Sequence, residues 1–458
     1  MEETIQLLPT KSKRIKKREA LKYHVKTFGC QMNEYDTEKV SGLFESDGMV
    51  LTERYEDADI LFINTCTIRE NADNKLYGTL GELKRWKLQN INRRLLVGGC
   101  AAQKDRDLIR KKAPWVDVVL GTNNISNILE LLDHSDINGP ITEIYEQIID
   151  DHTDLPSIRE SSTTAMVTIQ IGCNNSCTFC IVPKVRGSEI SRRPTDIYDE
   201  IVKLTNNKVK EIILLGQNVN SYGRDLKIDG NRSPYFAELL QMICKINNLE
   251  RIRFVSPHPK DINQKVIDVV NENPKICNHI HLPLQSGSDQ ILSKMHRGYN
   301  KNKYLDKVKM IRQTIENVSI TSDIIVGFPG ETEYDFNETI EVMEESKFDS
   351  VYLYKFSPRP GTKASYMVES FVNEKVVDER FEILKNLQTD ISMNNLSKYL
   401  DSTQKVLIDG LSKKDKTKST GKTDGGNIVI LDKIYPVGKL QDFKIVRNTP
   451  FVLYGESI

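Results

Sequence analysis

"AMVTIQIGCNNSCTFC", residues 165–180, runs an apolar alternation of strand length straight into three cysteines within eight positions. Residues 165–171 read as a strand. The loop after it, Cys173, Cys177 and Cys180 in C-x-x-x-C-x-x-C spacing, offers soft thiolates that suit zinc or an iron–sulfur cluster. Structural zinc takes four ligands, commonly as two paired half-sites. No second C-x-x-C and no histidine at a useful spacing stands nearby. A four-iron cluster on three cysteines keeps one iron open for an exogenous ligand, whereas an electron carrier normally takes four. The missing fourth thiolate therefore reads as a vacancy with a purpose.

Downstream, strand patterns recur at 209–216, 251–256, 279–284, 319–328 and 350–356. Helical patterns separate most of them. In "YDFNETIEVM" (334–343), Phe336, Ile340 and Met343 fall at i, i+4 and i+7, one face of a helix. Six such units predict a partial, TIM-like (β/α)6 barrel rather than a closed eightfold one. Parallel barrels keep their active sites at the carboxyl ends of the strands, which is where the cysteine loop falls.

Upstream, "YHVKTFGC" (23–30), "ADILFINTC" (58–66) and "RRLLVGGC" (93–100) are apolar runs that each end in a cysteine. Their spacings, 66 − 30 = 36 and 100 − 66 = 34, match one βαβ repeat. "DVVLGTNN" (117–124) and "ISNILELL" (125–132) continue the alternation. Parallel strands share an end, so Cys30, Cys66 and Cys100 are expected together at the carboxyl edge of an open parallel α/β sheet, where ligands bind. "DDHTDLPSIRESST" (150–163) reads as a linker. A helix across 379–400 leads to "QKVLIDG", "TDGGNIVILD", "FKIVRN" and "FVLYGES", short strands punctuated by Asp-Gly and Gly-Gly turns. They predict a small antiparallel, OB-like β-barrel of the kind that holds nucleic acid. The expected organisation is a basic flexible tail (1–20), an N-terminal α/β domain (21–150), a barrel domain (164–390) and a β-barrel domain (396–458).

The 64 basic residues balance 64 acidic ones, so global charge gives no sign of a polyanionic partner. Two local runs do, "KSKRIKKR" (11–18) and "KKDKTKSTGK" (413–422). Taken alone they read as solvated tail and loop; beside an OB-like barrel, the second favours RNA binding through Lys413 and Lys414. Eight cysteines in a long chain whose trios cluster favour reduced thiols and metal over disulfides. Cys244 and Cys277, in helix and strand patterns, read as ordinary buried thiols. No apolar run reaches membrane-span length, and the first twenty residues place their basic cluster after the apolar ones, the reverse of a secretory signal. A cytoplasmic address with no membrane partner is expected.

Cysteine loop, strand and barrel context together resemble the radical S-adenosylmethionine enzymes, with Phe179 similar to the aromatic position beside the adenine. "TFGCQMNEYD" (27–36), "NTCTIRENA" (64–72) and "GGCAAQ" (98–103), with the radical motif and the terminal β-barrel, extend the resemblance to the methylthiotransferase family over almost the whole chain. That resemblance implies two 4Fe-4S clusters, one on Cys173, Cys177 and Cys180 and an auxiliary one on Cys30, Cys66 and Cys100. It implies S-adenosylmethionine used twice per turnover, as methyl donor and as radical source, and a C-terminal TRAM domain that binds RNA. Carried over as S-adenosylmethionine contacts are Gly216, Gln217, Gln285, Ser286 and the "IVGFPGE" segment (325–331) with Ile325 and Gly327; read blandly, these are strand-end turns. Arg186, Arg192 and Arg193 in "VRGSEISRRP" (185–194) are expected on tRNA phosphates or the anticodon loop, against a bland reading as surface ion pairs. No side chain is identified as a catalytic base.

Within the family, "GQNVNSYG" (216–223) and "HLPLQSGS" (281–288) resemble the enzymes acting on N6-isopentenyladenosine next to the anticodon. Lys184 in "VPKVRG" departs from that branch and is familiar in the branch acting on a ribosomal protein. The expected reaction is therefore methylthio insertion at carbon 2 of N6-isopentenyladenosine. The alternatives are a ribosomal protein or threonylcarbamoyladenosine as substrate, and, from another class, a non-catalytic iron–sulfur RNA sensor. The implied partners are a tRNA anticodon stem-loop, a low-potential electron donor and a source of sulfur or cluster repair, with the chain acting as a monomer.

Overall fold

In the computed structural model of the chain, residues 18–67, 70–146, 155–159, 161–227 and 232–458 are described. They divide into two compact units, one ending at Ile158 and one beginning at Arg159. The basic run 11–18 lies outside the described residues apart from Arg18. Arg18 itself is no tail residue: its guanidinium pairs with Asp47 at 3.2 Å, Asp136 at 3.1 Å and Asp133.

The first unit is a parallel α/β sheet. Its strands are β1 (Lys22–Phe28), β2 (Val50–Leu51), β3 (Ile60–Thr65), β4 (Arg94–Gly99), β5 (Val118–Leu120) and β6 (Ile141–Glu143), in the order β2-β1-β3-β4-β5-β6. Every pairing is parallel. All six residues of β3 are buried, the mark of a strand covered on both faces. Its alternate residues feed separate cores: Ile60 and Phe62 pack with Tyr23, Phe44 and Leu96, while Leu61 and Ile63 pack with Leu80, Leu95 and Val97. The chain steps from β1 outward to β2 and then back past β1 to β3, so strand order reverses between β1 and β3. In such sheets the crevice outside the carboxyl ends at the reversal is the ligand site. Residues 155–158 of the expected linker are not free: Leu155 packs on this core, its carbonyl accepts from Lys39 Nζ, and Ile158 N donates to Glu38 O.

The second unit contains six parallel strands in two runs: β7 (Thr164–Thr168), β8 (Glu211–Leu215) and β9 (Arg251–Phe254), then β10 (His279–His281), β11 (Ser319–Val326) and β12 (Ser350–Lys355). Ile252 N→Lys275 O at 2.7 Å and Cys277 N→Ile252 O at 2.9 Å carry the backbone ladder from one run to the other. The partial (β/α)6 barrel is thus present. Its first expected strand, 165–171, is broken at Ile169, and Gln170–Ile171 instead pairs antiparallel with Ile190–Ser191.

A long helix, Glu374–Ser397, leads into a closed barrel of β13 (Thr403–Leu411), β14 (Ser419–Lys422), β15 (Ile428–Leu431), β16 (Leu440–Asn448) and β17 (Leu453–Ser457). The barrel departs from the all-antiparallel expectation, because β15 and β17 pair parallel. The order β13-β14-β15-β17-β16 is a five-stranded Greek-key barrel of the OB kind. Part of the expected basic loop 413–422 is strand, since β14 takes residues 419–422. Two buried guanidiniums seat this barrel on β9. Arg251 donates to Lys405 O (2.8 Å) and Lys422 O (2.7 Å), and Arg253 to Thr423 O (2.7 Å) and Asp424 O (2.9 Å). Among the described residues, no helix is long and apolar enough to cross a membrane.

Candidate iron–sulfur and S-adenosylmethionine sites

Register brings the first cysteine trio together. Phe28, Thr65 and Gly99 are side by side across β1, β3 and β4. Cys66 and Cys100 each follow their register residue directly, and Cys30 follows by two. Neighbouring strands lie about 4.8 Å apart, so three thiols rim one sheet edge at the reversal point. Cys66 N donates to Phe28 O at 2.8 Å. Cys30 caps helix α1 (Gln31–Ser46), and Cys100 begins the short helix after β4. Gly99 is the hinge for the last of these. Its φ is +89°, and a Cβ there would stand 2.3 Å from Asn64 Oδ1 and 2.5 Å from Thr65 O. Asn33 and Asn64 tie the loops to one another: Asn33 Nδ2 donates to Asn64 Oδ1 (2.9 Å) and to Thr65 O (3.2 Å), and Cys30 Sγ lies 3.4 Å from Asn33 Oδ1.

The second trio is wound into one loop at the end of the first barrel strand. Gly172 opens it with φ +80°, where a Cβ would meet Ser188 O at 2.0 Å. Cys173 N donates to Gly187 O at 3.1 Å, and Cys180 N to Cys177 O at 3.1 Å. Thr178 anchors the loop's far side, donating through N to Met295 O and through Oγ1 to Lys294 O. Burial pushes the Cys180 thiol up to about 12 and raises that of Cys173. A thiolate at either place needs a cation, and cluster iron is one. Among the described residues no three Cys, His, Asp or Glu side chains close around a single ion.

Arg297, which sequence reasoning missed, bears on the fit. It is buried, donates from Nη1 to Cys177 Sγ at 3.4 Å, and pairs with no carboxylate among the described residues. A buried cation without an anion is costly, and an anionic thiolate cluster held by Cys177 would offset it. The only sequence signal was an arginine in "MHRGY" (295–299) directly after a short helix.

The expected S-adenosylmethionine contacts fall at the same carboxyl ends. Phe179 and Ile325 flank one apolar cluster with Phe328 and Met295. Gly216 is buried after β8, and the Gln217 side chain accepts from Gly172 N, buttressing the cysteine loop. Gln285 adopts φ +73° and exchanges backbone bonds with β11 at Asp323 and Ile325. The Ser286 hydroxyl accepts from Ser288 N and meets Thr339 Oγ1 at 3.5 Å, bracing the turn. Gly327 has φ +74°, and Glu331, below it, accepts from the amides of Gly327 and Phe328. Asn220, in "GQNVN", is buried, and among the described residues neither of its amide atoms has a partner.

The arginine expectation needs correction. Arg192 is buried, donating to Thr168 O at 2.7 Å and pairing with Glu200 at 2.7 Å; it holds β7 to the next helix and has no free face for phosphate. Arg186 is buried as well, and Arg193 is exposed. Lys413 and Lys414 are exposed on the β13–β14 loop. Lys184 is exposed, its ammonium beside Gly361. Cys277 is buried as expected, while Cys244 is only half-buried.

Residues 22–121 match the Uncharacterized protein family UPF0004 and residues 167–343 the Radical SAM superfamily. The tRNA-2-methylthio-N(6)-dimethylallyladenosine synthase of Clostridium tetani is 46% identical over 440 residues, 95% of this chain and 96% of that one. The enzyme of the same name from Corynebacterium diphtheriae is 45% identical over 449 residues, 95% of this chain and 86% of that one. Among solved structures, the radical S-adenosylmethionine methyltransferase TsrM from Kitasatospora setae aligns with a TM-score of 0.54 at 12% identity, covering 76% of this chain and 75% of that one. The cobalamin-dependent radical enzyme OxsB aligns at 0.51 and 12%, covering 79% and 56%. These two likenesses show the fold. With both cysteine trios inside matched regions and the identity running almost end to end, the chain belongs to the tRNA-2-methylthio-N(6)-dimethylallyladenosine synthase family of radical S-adenosylmethionine enzymes.

Proposed function

We propose that the chain inserts a methylthio group at carbon 2 of N6-isopentenyladenosine beside the anticodon of tRNA. The observation that carries this reading is the near full-length identity to synthases of that name, supported by Cys30, Cys66 and Cys100 at neighbouring strand ends and Cys173, Cys177 and Cys180 in one loop. Cys173, Cys177 and Cys180 would hold one 4Fe-4S cluster and Cys30, Cys66 and Cys100 another. When bound, these clusters with two molecules of S-adenosylmethionine supply the hydrogen-abstracting radical, the sulfur and the methyl group. The chain's own work is positioning. The Gly172 turn, Gln217 and Thr178 fix the radical loop, while Phe179 and the Ile325–Gly327 segment line its apolar side. The target base must leave its stack to be reached, and a single-stranded anticodon loop makes that inexpensive. Lys413, Lys414 and Arg193 are the exposed cations assigned to the RNA backbone. A low-potential reductant and a sulfur source complete the turnover, with a monomer as the acting species.

The test is anaerobic reconstitution with iron and sulfide, reaction with isopentenylated tRNA, S-adenosylmethionine and dithionite, and mass spectrometry of the nucleosides. The expected product is the 2-methylthio nucleoside, with about eight irons per chain for two four-iron clusters. Cys30→Ala should abolish that product while 5′-deoxyadenosine still forms. Turnover that survives Cys30→Ala, or product found on a ribosomal protein and not on tRNA, overturns the proposal.

A further inference from the structure

Arg297 sits where the radical cluster would be held, and its surroundings fix its orientation. Nε is 3.0 Å from Tyr299 Oη, Nη2 donates to Pro283 O at 3.1 Å, and Nη1 points at Cys177 Sγ. Tyr299 Oη in turn lies 3.0 Å and 2.9 Å from the carbonyls of Pro283 and Leu284, so it donates to the backbone while accepting from the guanidinium. The Tyr299 ring lies 5.4 Å from the guanidinium carbon and packs against Tyr304 and His258. The arginine is 5% exposed, and among the described residues no acidic side chain forms an ion pair with it. All this places a fixed positive charge, with a donor aimed at one ligand sulfur, in a low-dielectric pocket.

We propose that Arg297 is a positioning residue that sets the reduction potential of the radical cluster by favouring its reduced state. The proposal rests on the functional reading above, because it takes Cys177 as a cluster ligand. One-electron reduction by a low-potential donor adds one negative charge to the cluster and removes none from the protein. A nearby cation and an N–H···S bond therefore stabilise the reduced form more than the oxidised form. A structural role would need only the contacts to Pro283 O and Tyr299; the third donor, towards sulfur, serves neither.

The test is an EPR-monitored redox titration of the reconstituted full-length enzyme and its Arg297→Gln and Arg297→Lys variants, with iron analysis of each. The radical cluster is identified as the signal that changes when S-adenosylmethionine is added. Arg297→Gln is expected to shift the reduction equilibrium about tenfold towards the oxidised form, roughly 59 mV for a one-electron couple, with Arg297→Lys recovering most of it. A Gln variant that cannot hold iron while the Lys variant can also assigns the charge to the cluster. An unchanged potential in an iron-replete Gln variant, or iron loss in both variants, overturns the role. If no wild-type signal responds to S-adenosylmethionine, the functional reading fails instead.

Discussion

Asn33 and Asn64 bond reciprocally. Asn33 Nδ2 donates to Asn64 Oδ1 at 2.9 Å, and Asn64 Nδ2 returns a bond to Asn33 O at 2.8 Å. The pair links the Cys30 loop to the strand that ends in Cys66, and Asn64 Oδ1 also lies against Gly99, before Cys100. One buried amide thus touches all three loops of the N-terminal trio. Asn64→Ala leaves Asn33 Nδ2 with only its bond to Thr65 O and takes away the side-chain donor to Asn33 O, in a buried site, at a cost of about 1–3 kcal/mol. Iron analysis of the reconstituted variant should show the auxiliary cluster lost or labile. Full iron content and unchanged stability would contradict the hub.

Gly99→Ala should be worse than its single methyl group implies. The added Cβ meets Asn64 Oδ1 and Thr65 O below contact distance, on a backbone with positive φ. Thr65 O is backbone and Asn64 Oδ1 is tied by Asn33 Nδ2, so the β4 end must move, and Cys100 with it. Loss of auxiliary iron together with a lowered melting temperature is expected. A variant that binds wild-type iron would show that the loop relaxes around the methyl group.

Arg253 joins the two barrels of the second unit. Besides its two carbonyl acceptors it pairs with Glu211 at 2.9 Å, and both side chains are buried. Arg253→Met leaves the Glu211 carboxylate without its partner at an expected cost of about 3–5 kcal/mol. Adding Glu211→Leu should recover most of this in urea unfolding, though not the docking of the C-terminal barrel. Limited proteolysis between Lys398 and Ser402 reports that docking. Equal losses in the single and double variants would place the cost elsewhere.

His258 gives the barrel an acid limit. Burial, and after it Arg297 and Lys260, holds its imidazole down at about 2 against an ordinary 6.5. The folded chain keeps it neutral while the unfolded chain takes up a proton below pH 6.5. Its contribution is therefore complete above that pH and is lost as pH falls, at up to about 1.4 kcal/mol per pH unit. Between pH 6 and pH 4 the loss is about 2.5 kcal/mol. Urea midpoints followed by circular dichroism over this range should fall less steeply in His258→Gln than in the wild type. Parallel slopes would refute it.

The cysteine geometry was readable in the sequence because period and chemistry coincided. A strand end is visible as the close of an apolar run, and both trios stand at such closes, so sheet register alone assembles Cys30, Cys66 and Cys100. What escaped was set by tertiary packing. Arg186 and Arg192 read as free cations, since local sequence does not show that Thr168 O and Glu200 await the second of them. Arg297 and Asn64 are polar residues whose partners come from distant segments. The parallel β15–β17 pairing was hidden for the same kind of reason: hairpin signals report neighbours in sequence, whereas this pair is closed by a crossover.

Lys413 and Lys414 test the RNA reading where no buried structure confuses the result. Both are exposed on the β13–β14 loop, so replacing them with alanine should leave stability within about 0.5 kcal/mol. If each neutralises one phosphate, the double variant weakens binding of an anticodon stem-loop. The slope of log K against log salt should fall in magnitude by about 1–2, from the 0.7–0.9 ions released per contact. The loss should be the same for stem-loops with and without the isopentenyl group, because a phosphate contact positions the strand and carries no information about the base. An unchanged salt slope would move the RNA-binding face away from this loop, leaving exposed Arg193 as the next cation to replace.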